Sequence, residues 1–280
     1  MRVLILGGTG SVGSAVVGEL LTRGHAATIL CRSDSSADRA RELGAAVLHG
    51  SISTPADWVE RLSEADAVIH LATGFGPDAG DVDRSLLNAI FAHAASRTAA
   101  QTSEASGDKL RLIYTGGLWL FGSCSAAPDS RTPYNAPSSW QWATDGCLRV
   151  LSHPDLYGMV IHPANVTDEE SGVPPLLLTD ASASGRIRIP IPEEATWPLV
   201  RRDHLARLYA EVLEHAQAGT AYFGVSEAAV PQAELVRRTA RATGLPPEVA
   251  VVPIAVWQTQ YGEWSIGYSL SQKGTPTAHS

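Results

Sequence analysis

The stretch Arg2–Gly13, RVLILGGTGSVG, constrains the fold more than any other part of the chain. Its first five residues are mostly apolar, too few for a helix and suited to a strand buried on both faces. Glycines follow at Gly7, Gly10 and Gly13, spaced G-x-x-G-x-x-G. Residues without a Cβ let a chain turn tightly from strand into helix and let backbone N–H groups approach a ligand. Val12, Val16, Val17, Leu20 and Leu21 then recur at helical spacing up to Arg23, and Gly24 supplies the stop. Strand, glycine turn and helix in this order open a β-α-β unit that holds a dinucleotide pyrophosphate at the helix N-terminus. Gly7, Gly8, Thr9, Gly10, Ser11, Val12 and Gly13 are the expected contacts.

The alternation continues. Ala26 to Leu30 reads as a second strand, Ala37 to Leu43 as a helix, and AAVLHG as a third strand. TPADWVERL has the Thr-Pro opening of a further helix. Asp66 to Ala72 forms a fourth strand, Asp81 to about Ala105 a long helix, and LRLIYT a fifth strand. Strands separated by helices pack as a parallel sheet covered on both faces, an α/β class. The second half is less regular. Tyr157 to Val166 reads as a sixth strand entering a loop, and 171–198 breaks the order. Helices follow at Asp203 to His215 and Pro231 to Thr243, and the final SQKGTPTAHS is expected to fray. The division expected is 1–160 for dinucleotide binding and 161–280 for a small C-terminal substrate lobe, partly interleaved with it.

Composition narrows the function. A net charge of −8 with no basic block gives a nucleic-acid role little support. No apolar run approaches the roughly 20 residues of a membrane helix, so no membrane partner is expected. The three cysteines, Cys31, Cys124 and Cys147, are scattered without a CxxC pair, which suits a reducing cytoplasm. There is no HExxH motif or Cys/His cluster, so no metal is expected, and GSCS at Gly122 lacks the nucleophile elbow G-x-S-x-G.

The glycine spacing resembles that of the short-chain dehydrogenase/reductase superfamily. DAVIHLATG, IYTGGLWLFG, IHPANVTD and WPLVRRDHLARLY are similar to motifs of its extended branch, the NAD(P)-dependent epimerases and dehydratases. The resemblance implies a Rossmann-type doubly wound sheet, a nicotinamide cofactor, a small-molecule substrate, and a homodimer formed through the helix after Asp81 and the helix carrying Trp140. It also implies that Ser51 and Ile52 lie near the adenine, that Leu71, Ala72 and Thr73 line the adenosine and ribose side, and that Pro163 and Asn165 approach the nicotinamide.

The residue after the second strand discriminates between cofactors, since an acid there accepts from a ribose 2′-hydroxyl and an arginine pairs with a 2′-phosphate. Here the strand ends in Cys31-Arg32-Ser33, with Asp34 one step further on. Arg32 and Ser33 therefore favour NADP(H) over NAD(H). His70, inside its strand, reads as a hydrogen-bonded core residue.

The resemblance also implies a Ser, Tyr and Lys relay, in which the Lys four residues after the Tyr lowers a phenol pKa that is otherwise near 10. The chain has only two lysines, Lys109 and Lys273, preceded at that spacing by Ala105 and Ser269. The Tyr-Lys pair is absent, and the family's serine position falls on Gly117. Thr115, Tyr134 and His162 are the candidate substitutes. The expectation is an NADP(H)-binding oxidoreductase-like enzyme for a small carbonyl, enone or imine. Alternatives are a non-redox isomerase, cyclase or lyase on the same scaffold, or a non-catalytic NADP(H) sensor.

Overall fold

The computed structural model describes residues 1–100 and 109–277. In chain order the elements begin with β1 (Arg2–Leu6), α1 (Ser11–Thr22), β2 (Ala26–Cys31), α2 (Asp34–Glu42), β3 (Ala46–His49), β4 (Ala67–His70), α3 (Ala79–Ala100), β5 (Leu110–Thr115), α4 (Gln141–Ser152) and β6 (Leu156–Pro163). They continue with β7 (Asn165–Thr167), α5 (Pro175–Ser184), β8 (Ile187–Ile189), β9 (Thr196–Arg201), α6 (Arg202–His215), β10 (Thr220–Gly224), β11 (Glu227–Pro231), α7 (Gln232–Thr243), β12 (Val249–Val251) and α8 (Ile254–Tyr261). Two compact units result. The first comprises 1–116, 142–161 and 206–222; the second comprises 117–141, 162–205 and the chain from 223 onward.

The first unit is built on a seven-stranded sheet of order β10-β6-β5-β4-β1-β2-β3. The pairings from β6 through to β3 are parallel. Every residue of β4 is buried, as the unbroken apolar run of a strand covered on both faces requires. Strand order reverses beside β1, with β2 on one side and β4 on the other. Such a switch point leaves a crevice at the carboxyl ends of the strands, where ligands of open α/β sheets bind.

Several elements differ from their sequence expectations. TPADWVERL forms two short 3-10 turns, Pro55–Asp57 and Val59–Glu64, rather than one helix. Thr54 makes no side-chain cap there, and Trp58 interrupts the turns with its ring buried and its indole N–H donated to the Ser51 carbonyl. The second helix starts earlier than Ala37, because Ser33 caps it in a reciprocal pair with Ser36. The long helix begins at Ala79, and its expected end near Ala105 lies outside the described residues.

The second unit holds a three-stranded sheet, β11-β9-β7, and a two-stranded one, β12-β8. Its core gathers Leu177, Ile189, Trp197, Leu235, Trp257 and neighbours. The irregular stretch 171–198 contains α5 and β8, which the proline and glycine content masked. The tail is also better ordered than expected over its described part. Gln272 is buried and donates to the Leu118 and Gly122 carbonyls at 2.6 and 2.7 Å, and the Thr277 N–H donates to the Val225 carbonyl.

Asp180 on α5 is fully enclosed, held by the Arg188 guanidinium of β8 and by the Tyr261 hydroxyl. Removing one partner of a buried ion pair strands the other without solvent. Arg188→Ala, which leaves the enclosed Asp180 without its cation, should therefore cost about 3–5 kcal/mol in urea unfolding, whereas a loss below about 1 kcal/mol would show that the pair contributes little.

Candidate functional site

The turn between β1 and α1 admits only glycine at two points. Gly7 has φ +85°, and a Cβ on it would lie 2.8 Å from the Ala72 backbone nitrogen. A Cβ on Gly13 would come within 2.1 Å of the Gly7 carbonyl oxygen. The Gly10 N–H donates to that same carbonyl at 3.1 Å, closing the turn. Helix α1 then begins with Gly10 at its N-cap, no capping side chain and no acid in its first turn. The first N–H groups of a helix lack intrahelical partners and carry a partial positive charge, so an uncapped, acid-free end is suited to an anion.

A cleft of about 510 Å³ opens over this turn. Of the expected cofactor residues, Gly7, Thr9, Gly10, Arg32, Ser51, Ile52, Leu71, Ala72 and Thr73 line it. Gly8, Ser11, Val12 and Gly13 instead build the turn and helix beneath, and Ser33 is occupied as the cap of α2. Pro163 and Asn165 belong to the second unit, where Asn165 is buried and pairs in register with Leu199 of β9. At the β2–β3 end, Arg32 is accompanied by Ser36, Ser51 and Ser53, with no carboxylate among the lining residues there. At the β4–α3 end the lining is His70, Asp78, Val82, Asp83 and Trp142. Sequence reasoning did not select Ser36, Ser53 or Asp83, since each becomes a cleft residue only through the packing of its helix or loop. His70 is a buried core histidine as expected, bonded to Asp83 at 3.0 Å, and it also faces the cleft.

The catalytic candidates fall in different settings. In the first unit, the Thr115 hydroxyl is engaged at 2.6 Å by both the His70 carbonyl and the Tyr209 hydroxyl. In the second unit, Tyr134 and His162 come together, Oη to Nε2, at 3.1 Å. His162 is fully buried among Phe121, Tyr134 and Phe223. The Gly117 N–H donates to its Nδ1 at 3.1 Å. Burial holds this imidazole down to about 3, so it is neutral near pH 7. With Nδ1 accepting, the ring proton sits on Nε2 and is donated to the Tyr134 oxygen.

The matched relatives agree with this architecture. Residues 7–216 match the NAD(P)H-binding family. The chain belongs to that family. An uncharacterized protein of Saccharomyces cerevisiae is 25% identical over 272 residues, covering 94% of this chain and 86% of that protein. Photosystem II assembly factor Ycf39 of Synechocystis is 37% identical over 78 residues, 28% of this chain and 24% of the factor. The dTDP-glucose 4,6-dehydratase of Bacillus anthracis, solved in complex with NAD, superposes with a TM-score of 0.73 at 15% identity, covering 90% of this chain and 84% of the dehydratase. The dehydratase and this chain thus share a Rossmann-like fold. The glycine cradle fits a dinucleotide pyrophosphate, because a Cβ at either Gly7 or Gly13 would obstruct the backbone that forms it. Among the described residues, no helix is long and apolar enough to cross a membrane.

The buried neutral His162 gives a pH signature. The unfolded chain takes up this proton near pH 6.5, and the folded chain only near pH 3. Stability therefore falls as pH drops through this window, by up to about 1.4 kcal/mol per pH unit from this group. His162→Gln should show a shallower decline in urea unfolding between pH 6.5 and 4.5; identical slopes would rule out this contribution.

Proposed function

We propose that the protein is an NADP(H)-dependent reductase acting on a small organic carbonyl, enone or imine, without the usual Ser/Tyr/Lys relay. The observation that carries the reading is the β2–β3 end of the cleft, where exposed Arg32 stands among Ser36, Ser51 and Ser53 with no lining carboxylate. The Arg32 guanidinium and the Ser51 and Ser53 hydroxyls suit a 2′-phosphate, while Ser36 is held in the cap of α2; an acid would be needed to select the unmodified ribose. Bound NADPH supplies a hydride, so the residues have to orient the substrate and provide one proton.

Tyr134 is the proposed proton donor. Its oxygen accepts from neutral His162, and that bond would stabilise the phenolate left after proton transfer. This substitutes a neutral N–H donor for the cation of the family's relay, a weaker device that favours substrates whose product protonates readily. Thr115 is the less suitable donor, since its hydroxyl is engaged within the first unit.

Fluorescence titration with NADPH and NADH tests the cofactor assignment. NADPH should bind more tightly, and Arg32→Glu should reduce that preference by about tenfold or more; an NADH affinity equal to or above that for NADPH in the unaltered protein would overturn it. NADPH oxidation followed over a panel of carbonyls, enones and imines tests the reaction. Tyr134→Phe should lower kcat by about 10²-fold or more with cofactor affinity unchanged. Tight NADPH binding with no oxidation of any substrate, or product formed without net oxidation, would favour a sensor or a non-redox enzyme respectively.

A further inference from the structure

At the β4–α3 end of the cleft, Asp83 is 8% exposed and lines the cleft wall. One oxygen meets His70 Nε2 at 3.0 Å, and the other accepts from the Tyr114 hydroxyl at 3.1 Å. Among the described residues it pairs with no arginine or lysine. A carboxylate offers about four lone-pair sites, and these two bonds leave acceptor capacity directed at whatever fills the cleft. Tyr114 is buried beneath it, and desolvation together with the Asp83 charge pushes its phenol well above 10, so it remains a donor. Helix α4 passes close enough that a Cβ on Gly146 would lie 2.6 Å from the Tyr114 hydroxyl oxygen. The carboxylate is thus aimed from below rather than left to rotate.

His70 supplies a second, independent indication of a ligand. It is 3% exposed, and its Nδ1 has no hydrogen-bond partner among the described residues. With Nε2 bonded to the carboxylate, Nδ1 is a polar atom in want of a partner, which a hydroxyl can supply as donor or acceptor. Leaving such an atom unmet is unfavourable, and the residue that carries it lines the same cleft as Asp83.

Strand order says which part of a dinucleotide arrives here. The phosphate turn follows β1, which lies between β2 and β4. A dinucleotide with its pyrophosphate on that turn and its adenosine toward Arg32 extends its second nucleoside the other way, toward β4 and α3. The lysine that would hold this second ribose in related enzymes has no counterpart in the chain, because neither of its two lysines has the required tyrosine.

We propose that Asp83, steered by Tyr114 and assisted by His70, takes the hydroxyls of the second ribose of the bound dinucleotide, replacing the missing lysine. This rests on the NADP(H) reading of the cleft. Calorimetric titration separates the two, using NADPH and adenosine 2′,5′-bisphosphate, which carries the phosphorylated adenosine but no second ribose. Asp83→Asn should weaken NADPH by about tenfold, the effect of losing a charge-assisted hydrogen bond, and leave the bisphosphate within about twofold. Tyr114→Phe alters no cleft-lining atom and should give the same selective pattern at smaller size; it decides the matter alone if Asp83→Asn does not fold. Equal affinities in variant and unaltered protein, or equal losses for both ligands, would overturn the subsite while leaving the cofactor reading intact. Failure of the unaltered protein to bind either ligand would overturn both.

Discussion

The approach of α1 to β1 at Gly13 and Gly7 is the contact on which the first unit depends. A single methyl group at Gly13 would occupy the space of the Gly7 carbonyl oxygen, and that carbonyl closes the turn by accepting from Gly10. Because the turn is closed by backbone alone, the N-terminus of α1 carries no side-chain cap and its N–H groups remain directed outward. The cleft on the β1 side and the reversal of strand order beside it are then two aspects of one arrangement.

Features encoded by local periodicity were legible in the sequence. The glycine turn, the buried strands β1, β4 and β5, and helices α1, α6 and α7 follow from short-range pattern and sterics. What was obscured depended on partners distant in sequence. The segment Pro55–Glu64 carries a helix-opening signature, yet Trp58 buries its ring between two short turns and prevents one continuous helix. Asp83 has no local signature, because its meaning comes from His70 on β4 and Tyr114 on β5, 13 and 31 residues away. The Tyr134–His162 contact spans 28 residues and likewise cannot be inferred from spacing.

Each unit holds a buried histidine hydrogen-bonded to a polar side chain. In the second, a histidine denied its charge by burial becomes a fixed N–H donor to a phenol. In the first, the Asp83 carboxyl is bonded by His70 and Tyr114 at the wall of the cleft. In both, packing holds the direction of the polar groups.

The C-terminal tail acts as a clasp on the segment from Leu118 to Gly122. The Gln272 amide satisfies two buried carbonyls in that segment at once. Fusion partners or protease cleavage near residue 272 would thus act at a distance along the chain, freeing the loop whose Gly117 N–H sets the His162 tautomer. The segment around Gln272 in this sense helps to hold the His162 ring in one tautomer.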